Sequence, residues 1–125
     1  MNRGLAGEGL VDSRVWLVKT HYPERFGKEV FYAQRCVLCV RNPLDAISSL
    51  YHMVATSSHH LSIIDEDFKT YMDVWSEFIE QEISVWKDFH EFWLNAKVPT
   101  LFVRFEDLLE NPKETMKEVM AFLMD

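Results

Sequence analysis

Residues 35–51 read RCVLCVRNPLDAISSLY, and the junction in the middle of that stretch decides the fold. Arg35 to Val40 is nearly all apolar, as in a strand buried on both faces of a parallel sheet. Asn42-Pro43 then opens a helix. Asn is a good N-cap, Pro is tolerated at the first helical position, and Asp45 lies at the positive end of the dipole. Ile47, Leu50, Tyr51 and Val54 continue at helical spacing. A strand that runs into a helix in this way is a building block of layered α/β domains.

Two chemistries compete for the stretch. Cys36 and Cys39 have CxxC spacing, which suits a redox or metal pair. In a strand, however, residues i and i+3 point to opposite faces, so the two sulfurs cannot chelate one ion or close a local disulfide. The chain has only these 2 cysteines, so no second pair completes a zinc site. His52, His59 and His60 are not spaced as a ligand set. The cysteines are therefore expected to be buried apolar strand residues, and no metal is expected.

The rest of the chain supports the α/β reading. Residues 1–13 are Gly-rich and aperiodic, a flexible lead-in to a domain expected over 14–125. Val15 to Val18 has the composition of another strand, ending in Lys19-Thr20-His21-Tyr22-Pro23, where Pro23 turns the chain away from helix. A polar stretch with a helical turn follows, up to Tyr32. Met53 to Ile63 is polar and small enough for a loop. From Phe68 to Trp93 the apolar residues fall three or four apart and define one amphipathic face. Ser84 is a possible second cap, so two helices with a break near Glu82 are as acceptable as one. Val98 to Val103 is a third strand, and Asn111-Pro112 caps a last helix with Glu114 at the capping-box position. The order implies a parallel sheet with flanking helices.

Bulk properties bound the function. A 125-residue chain with 9 Phe, 4 Trp and 4 Tyr has the apolar content for one small core rather than a disordered chain. A net charge of −7 argues against general nucleic-acid binding, which depends on neutralising phosphates, but permits a local basic pocket. No apolar run reaches bilayer-spanning length, and the N-terminus lacks the apolar block of a signal peptide. Two cysteines make no disulfide framework. A cytoplasmic location is the expectation, with any targeting segment or anchor placed upstream. Oligomeric state has no signature.

Anion binding is the reading the strand ends favour. Open α/β sheets bind ligands beyond the carboxyl ends of their strands, where Lys19, His21 and Arg41 all fall. The helix start at Pro43 offers N–H groups and a positive dipole end. Arg41 brings a planar, permanently charged fork, and Ser49 a hydroxyl. The plain alternatives are an Arg41–Asp45 pair and serines incidental to the helix. A small kinase of the P-loop type is disfavoured, because no GK[ST] is present.

These residues resemble the sulfotransferase superfamily. RNPLDAISSLY is similar to its 3′-phosphate-binding segment, Arg-Asn-Pro-x-Asp with a serine eight after the arginine. VKTHYP resembles its Lys-Thr-His-x-Pro segment, LFVRFEDLLENPKETMKEVMAFL its strand–Tyr-Glu-Asp–Asn-Pro–helix segment, and the Trp86–Trp93 helix the Trp-rich stretch before it. The motifs occur in the family's order and cover most of the chain from residue 15. The resemblance implies a three-layer, P-loop NTPase-like fold. It also implies transfer of a sulfonyl group from 3′-phosphoadenosine 5′-phosphosulfate (PAPS) to a hydroxyl or amine of a small-molecule or carbohydrate acceptor. By position, Arg41 and Ser49 bind the 3′-phosphate, His21 is the general base, and Lys19 stabilises the transferring sulfonate. Phe105 replaces the family's tyrosine near the adenine, keeping a stacking face without the hydroxyl.

The family's 5′-phosphosulfate loop and C-terminal Arg-Lys-Gly segment have no counterpart here. The expectation is accordingly an incomplete sulfotransferase domain, marginally stable and of weak or no activity by itself. The alternative is a non-catalytic or degenerate relative with a residual nucleotide site or an interaction role. Acceptor specificity is expected from residues 56–63 and the aromatic helices.

Overall fold

The computed structural model describes residues 12–21 and 33–125. The chain divides after Tyr32 into two units, Met1–Tyr32 and Ala33–Asp125. Within the first, residues 12–21 form a turn followed by chain without regular secondary structure. Arg14 binds Asp12 there through Nε at 2.8 Å and Nη2 at 2.5 Å. The strand expected over Val15 to Val18 is not formed: Trp16 is 70% exposed and Leu17 62%. An apolar run becomes a strand only by pairing with another, and none pairs with it among the described residues. The expected lead-in up to residue 11 and the turn expected before Tyr32 lie outside the described residues.

The second unit is a mixed α/β arrangement. Strand β1 (Cys36–Val40) leads into helix α1 (Pro43–Thr56), followed by α2 (Asp65–Thr70) and α3 (Met72–Leu94). Strand β2 (Thr100–Arg104) comes next, then α4 (Phe105–Glu110) and α5 (Pro112–Met124). The strands pair in parallel, with Cys36 beside Thr100 and Val40 beside Arg104. Parallel neighbours need a crossover, which α1, α2 and α3 provide.

Burial follows the sequence pattern in part. Leu38, Ile47, Tyr51, Trp93, Val103 and Val119 form the buried apolar set. Tyr51 of α1 is ringed by Phe68, Trp75 and Phe78, with centroids at 5.4, 4.8 and 5.2 Å. The aromatic face read from Phe68 onward is thus core where it meets α1. Helix α5 packs against β2. Arg35 at the foot of β1 donates to the Phe122 carbonyl and lies over the Phe122 ring at 5.5 Å.

Several boundaries differ from expectation, each for a local reason. Helix α1 runs on through Met53–Thr56 and ends at Ser57, whose left-handed φ of 53° closes the helix without the usual glycine. The helix break falls at Tyr71 rather than near Glu82, which is buried inside an unbroken α3. Asn111 precedes α5 but makes no side-chain cap. Thr115 binds the Asp107 and Asn111 carbonyls instead, at 3.1 and 2.9 Å. The cysteines are free and sit on opposite faces of β1, but Cys39 is exposed rather than buried. In this two-stranded sheet its face is only partly covered.

Candidate functional site

The site is built where β1 ends. Asn42 caps α1 as expected, its Oδ1 accepting from the Leu44 N–H at 3.0 Å, a contact worth about 1 kcal/mol. The Asn42 N–H donates to Glu106 Oε1 at 3.0 Å. That bond, the residue's own N–H, and the nearby Arg104 and Arg41 charges hold the Glu106 carboxyl below its ordinary value, against a smaller opposing effect of burial. The helix start is therefore less open to an anion than the sequence implies. One exposed N–H is taken by Asn42 itself and another by Glu106, which already supplies a negative charge there.

What remains for a ligand is side-chain chemistry. Arg41, half-buried, lays its guanidinium over the Phe105 ring at 4.8 Å from the centroid. It makes no ion pair with Asp45. A guanidinium held over a ring by cation–π attraction makes no hydrogen bond to it and so retains N–H donors for an anion. Along α1, Asp45, Ser48, Ser49 and His52 follow at three- and four-residue steps and form one stripe. With Arg41 and the loop from Ser58 to Ser62 they line a polar cleft of about 340 Å³, within the size range of small-molecule sites. Ser48 and Ser49 have hydroxyls without a protein partner among the described residues.

The loop wall is ordered by its own bonds. Thr56 Oγ1 donates to the His52 carbonyl at 2.7 Å, and the Ser58 N–H donates to Thr56 Oγ1 at 3.3 Å. The His60 N–H donates to Ser58 Oγ at 3.1 Å, and the Ile63 N–H to His52 Nδ1 at 3.1 Å. A second, more apolar groove of about 530 Å³ is lined by Tyr51, Ile63, Ile64, Tyr71 and Val74 among others.

Of the residues singled out in the sequence, Arg41, Ser49 and Phe105 come together. Arg41 and Ser49 line the cleft, and Phe105 supports Arg41. Lys19 and His21 belong to the first unit, where Lys19 Nζ is hydrogen-bonded to His21 Nε2. Glu106 and His52 were not read as part of the site, whereas the Ser58–Ser62 wall falls within residues 56–63, where acceptor specificity was expected. Glu106 carried a signal, since it lies in the quoted Phe-Glu-Asp segment two residues after the end of β2. No cluster of metal-ligating side chains occurs among the described residues. Nor is any described helix long and apolar enough to cross a membrane.

A parallel βα unit whose strand end carries Arg41 over the Phe105 ring, beside a serine-lined helix, defines an α/β arrangement with a polar cleft at the end of β1. The family model of the sulfotransferase domain matches residues 10–124, and the chain belongs to that family. It is similar to a WSCD family member of Aedes aegypti, 24% identical over 125 residues, covering 98% of this chain and 38% of that protein. It is also similar to sulfotransferase 1A1 of the dog, 27% identical over 117 residues, covering 86% of this chain and 37% of that protein. Sulfotransferase 1C2 of the rat is 26% identical over 113 residues, covering 86% and 36%. The chain thus spans under two fifths of the length of these relatives. No solved structure matches it.

Proposed function

We propose that this chain carries the 3′-phosphate-binding and acceptor-activating segments of a sulfotransferase that uses PAPS. The observation that supports this most is the cleft, which Arg41 and Ser49 line together and in which Arg41 makes no ion pair with Asp45. On this reading Arg41 holds two oxygens of the 3′-phosphate in a fork and Ser49 donates to a third. Phe105 orients the arginine and offers an apolar face near the adenine. Glu106 positions the turn by holding the Asn42 N–H. The two described strands then belong to a three-layer parallel sheet.

PAPS, when bound, supplies a sulfonyl group bonded to a phosphate that leaves with the bonding electrons. His21 takes the proton of the acceptor hydroxyl or amine as the new bond to sulfur forms. Lys19 donates to the oxygens that gain negative charge.

Titration calorimetry with adenosine 3′,5′-bisphosphate tests the binding half. Binding by the chain, lost by a factor of ten or more in Arg41→Ala and only partly restored by Arg41→Lys, supports the fork. Absence of heat at millimolar nucleotide overturns the site. In an active full-length form, His21→Ala is expected to abolish turnover while leaving nucleotide affinity in place. Unchanged turnover removes His21 as the base.

A further inference from the structure

His52 was set aside in the sequence because it fits no metal ligand set, yet it holds a distinctive position in the cleft. It follows Ser48 and Ser49 by four and three residues and lines the same cavity as Arg41. Its ring is fixed from two sides. The Ile63 N–H donates to Nδ1 at 3.1 Å, and the ring packs on Phe68 with centroids 5.5 Å apart. A nitrogen that accepts a backbone N–H bears no proton, so the proton of the neutral ring sits on Nε2. The fold thereby selects one tautomer, with a donor as its second nitrogen.

We propose that His52 is a further binding residue of this site, donating from Nε2 to the anion held by Arg41 and Ser49. Through the same ring, the anion is linked to the backbone of the loop after α1. This rests on the 3′-phosphate reading above and adds to it a third donor and a connection to the loop. The groups that share the cleft with His52 are Arg41, Asp45, His59 and His60. Asp45 is the only carboxylate among them, so the donor at Nε2 reinforces a site that one acid residue partly opposes.

The test compares adenosine 3′,5′-bisphosphate with adenosine 5′-monophosphate, which lacks the 3′-phosphate. His52→Phe keeps a ring against Phe68 and removes both nitrogens. It is expected to weaken the bisphosphate about tenfold, as for a lost hydrogen bond to a charged group, and to leave the monophosphate unchanged. In the unaltered chain, long-range nitrogen–proton NMR is expected to show an Nε2–H tautomer for His52. Its Nε2 resonance should shift with the bisphosphate and stay in place with the monophosphate. Parent-like bisphosphate affinity in His52→Phe, alongside lost affinity in Arg41→Ala, overturns the His52 role and leaves the Arg41 site standing. An Nδ1–H tautomer also overturns it. Failure of the parent to bind the bisphosphate overturns both readings together.

Discussion

Replacing Tyr51 with alanine is the most direct trial of how this unit is held together. Tyr51 is 7% exposed and is the only α1 side chain that touches three rings of the following helices, at 4.8 to 5.4 Å. Removing a buried aromatic costs about 3–5 kcal/mol in lost transfer and cavity terms. Each aromatic pair carries about 0.5–1.5 kcal/mol beyond its area. The same ring atoms enter both figures, so about 4 kcal/mol is the appropriate total. Against a typical domain stability of about 5–15 kcal/mol, that change takes much of the margin. Urea unfolding followed by tryptophan fluorescence reads it through Trp75. With a slope of about 2 kcal/mol per molar, the midpoint should fall by about 2 M. Tyr51→Phe is the control: its hydroxyl has no hydrogen-bond partner among the described residues, so its midpoint should stay within about 0.3 M. A Tyr51→Ala midpoint within about 0.5 M of the parent would refute the claim that this cluster seats α1.

Two further predictions concern Glu106. Its carboxyl is held below the ordinary value of 4.5, first by the Asn42 N–H. Its contribution is therefore complete at and above that pH and is lost as pH falls through the lower folded value. Glu106→Gln should be less stable than the parent at pH 7, with the gap closing below about pH 4 in parallel thermal melts. A gap independent of pH would remove the charge from the account. Cys39 is exposed, but partial burial, and then the Glu106 charge, raise its thiol above the ordinary value of 9.0. Alkylation by iodoacetamide at pH 7.5 should be slower than that of a model thiol and faster in Glu106→Gln. Equal rates in parent and variant would exclude the electrostatic part.

Much of the fold was legible because two of its signals are local. Arg35 to Val40 reads as a strand from composition alone, and Asn42-Pro43 marks a helix start whose cap is made as expected. Arg41 and Ser49 were singled out from their place at that seam, and both line the cleft. What was not legible depends on partners distant in sequence. Val15 to Val18 has strand composition, but composition does not provide a neighbour to pair with. Helix α4 begins directly after β2 with Arg104 in the cap position and no side-chain cap, so no start signal precedes it. The end of α1 is hidden for a similar reason, since Ser57 adopts a left-handed conformation that sequence patterns associate with glycine. Glu106 and His52 were missed because each acts through a backbone N–H of another segment, 64 residues away for Glu106 and 11 for His52.

The parallel pairing of β1 with β2 also sets an order of events in folding. Every ladder bond, and the Asn42–Glu106 bond at the cleft, joins segments 64 residues apart. Closing a flexible chain over that separation costs about 4 kcal/mol from the (3/2)RT ln n relation, and such long-range contacts slow folding. The α1–α3 aromatic cluster forms over a much shorter span and shortens the effective loop before the strands meet. The contacts that Phe105 and Glu106 make at the end of β1 are therefore completed late, after the helices have condensed. A chain emerging from the ribosome has all of α1 in place before the carboxylate that fixes its first turn has been synthesised.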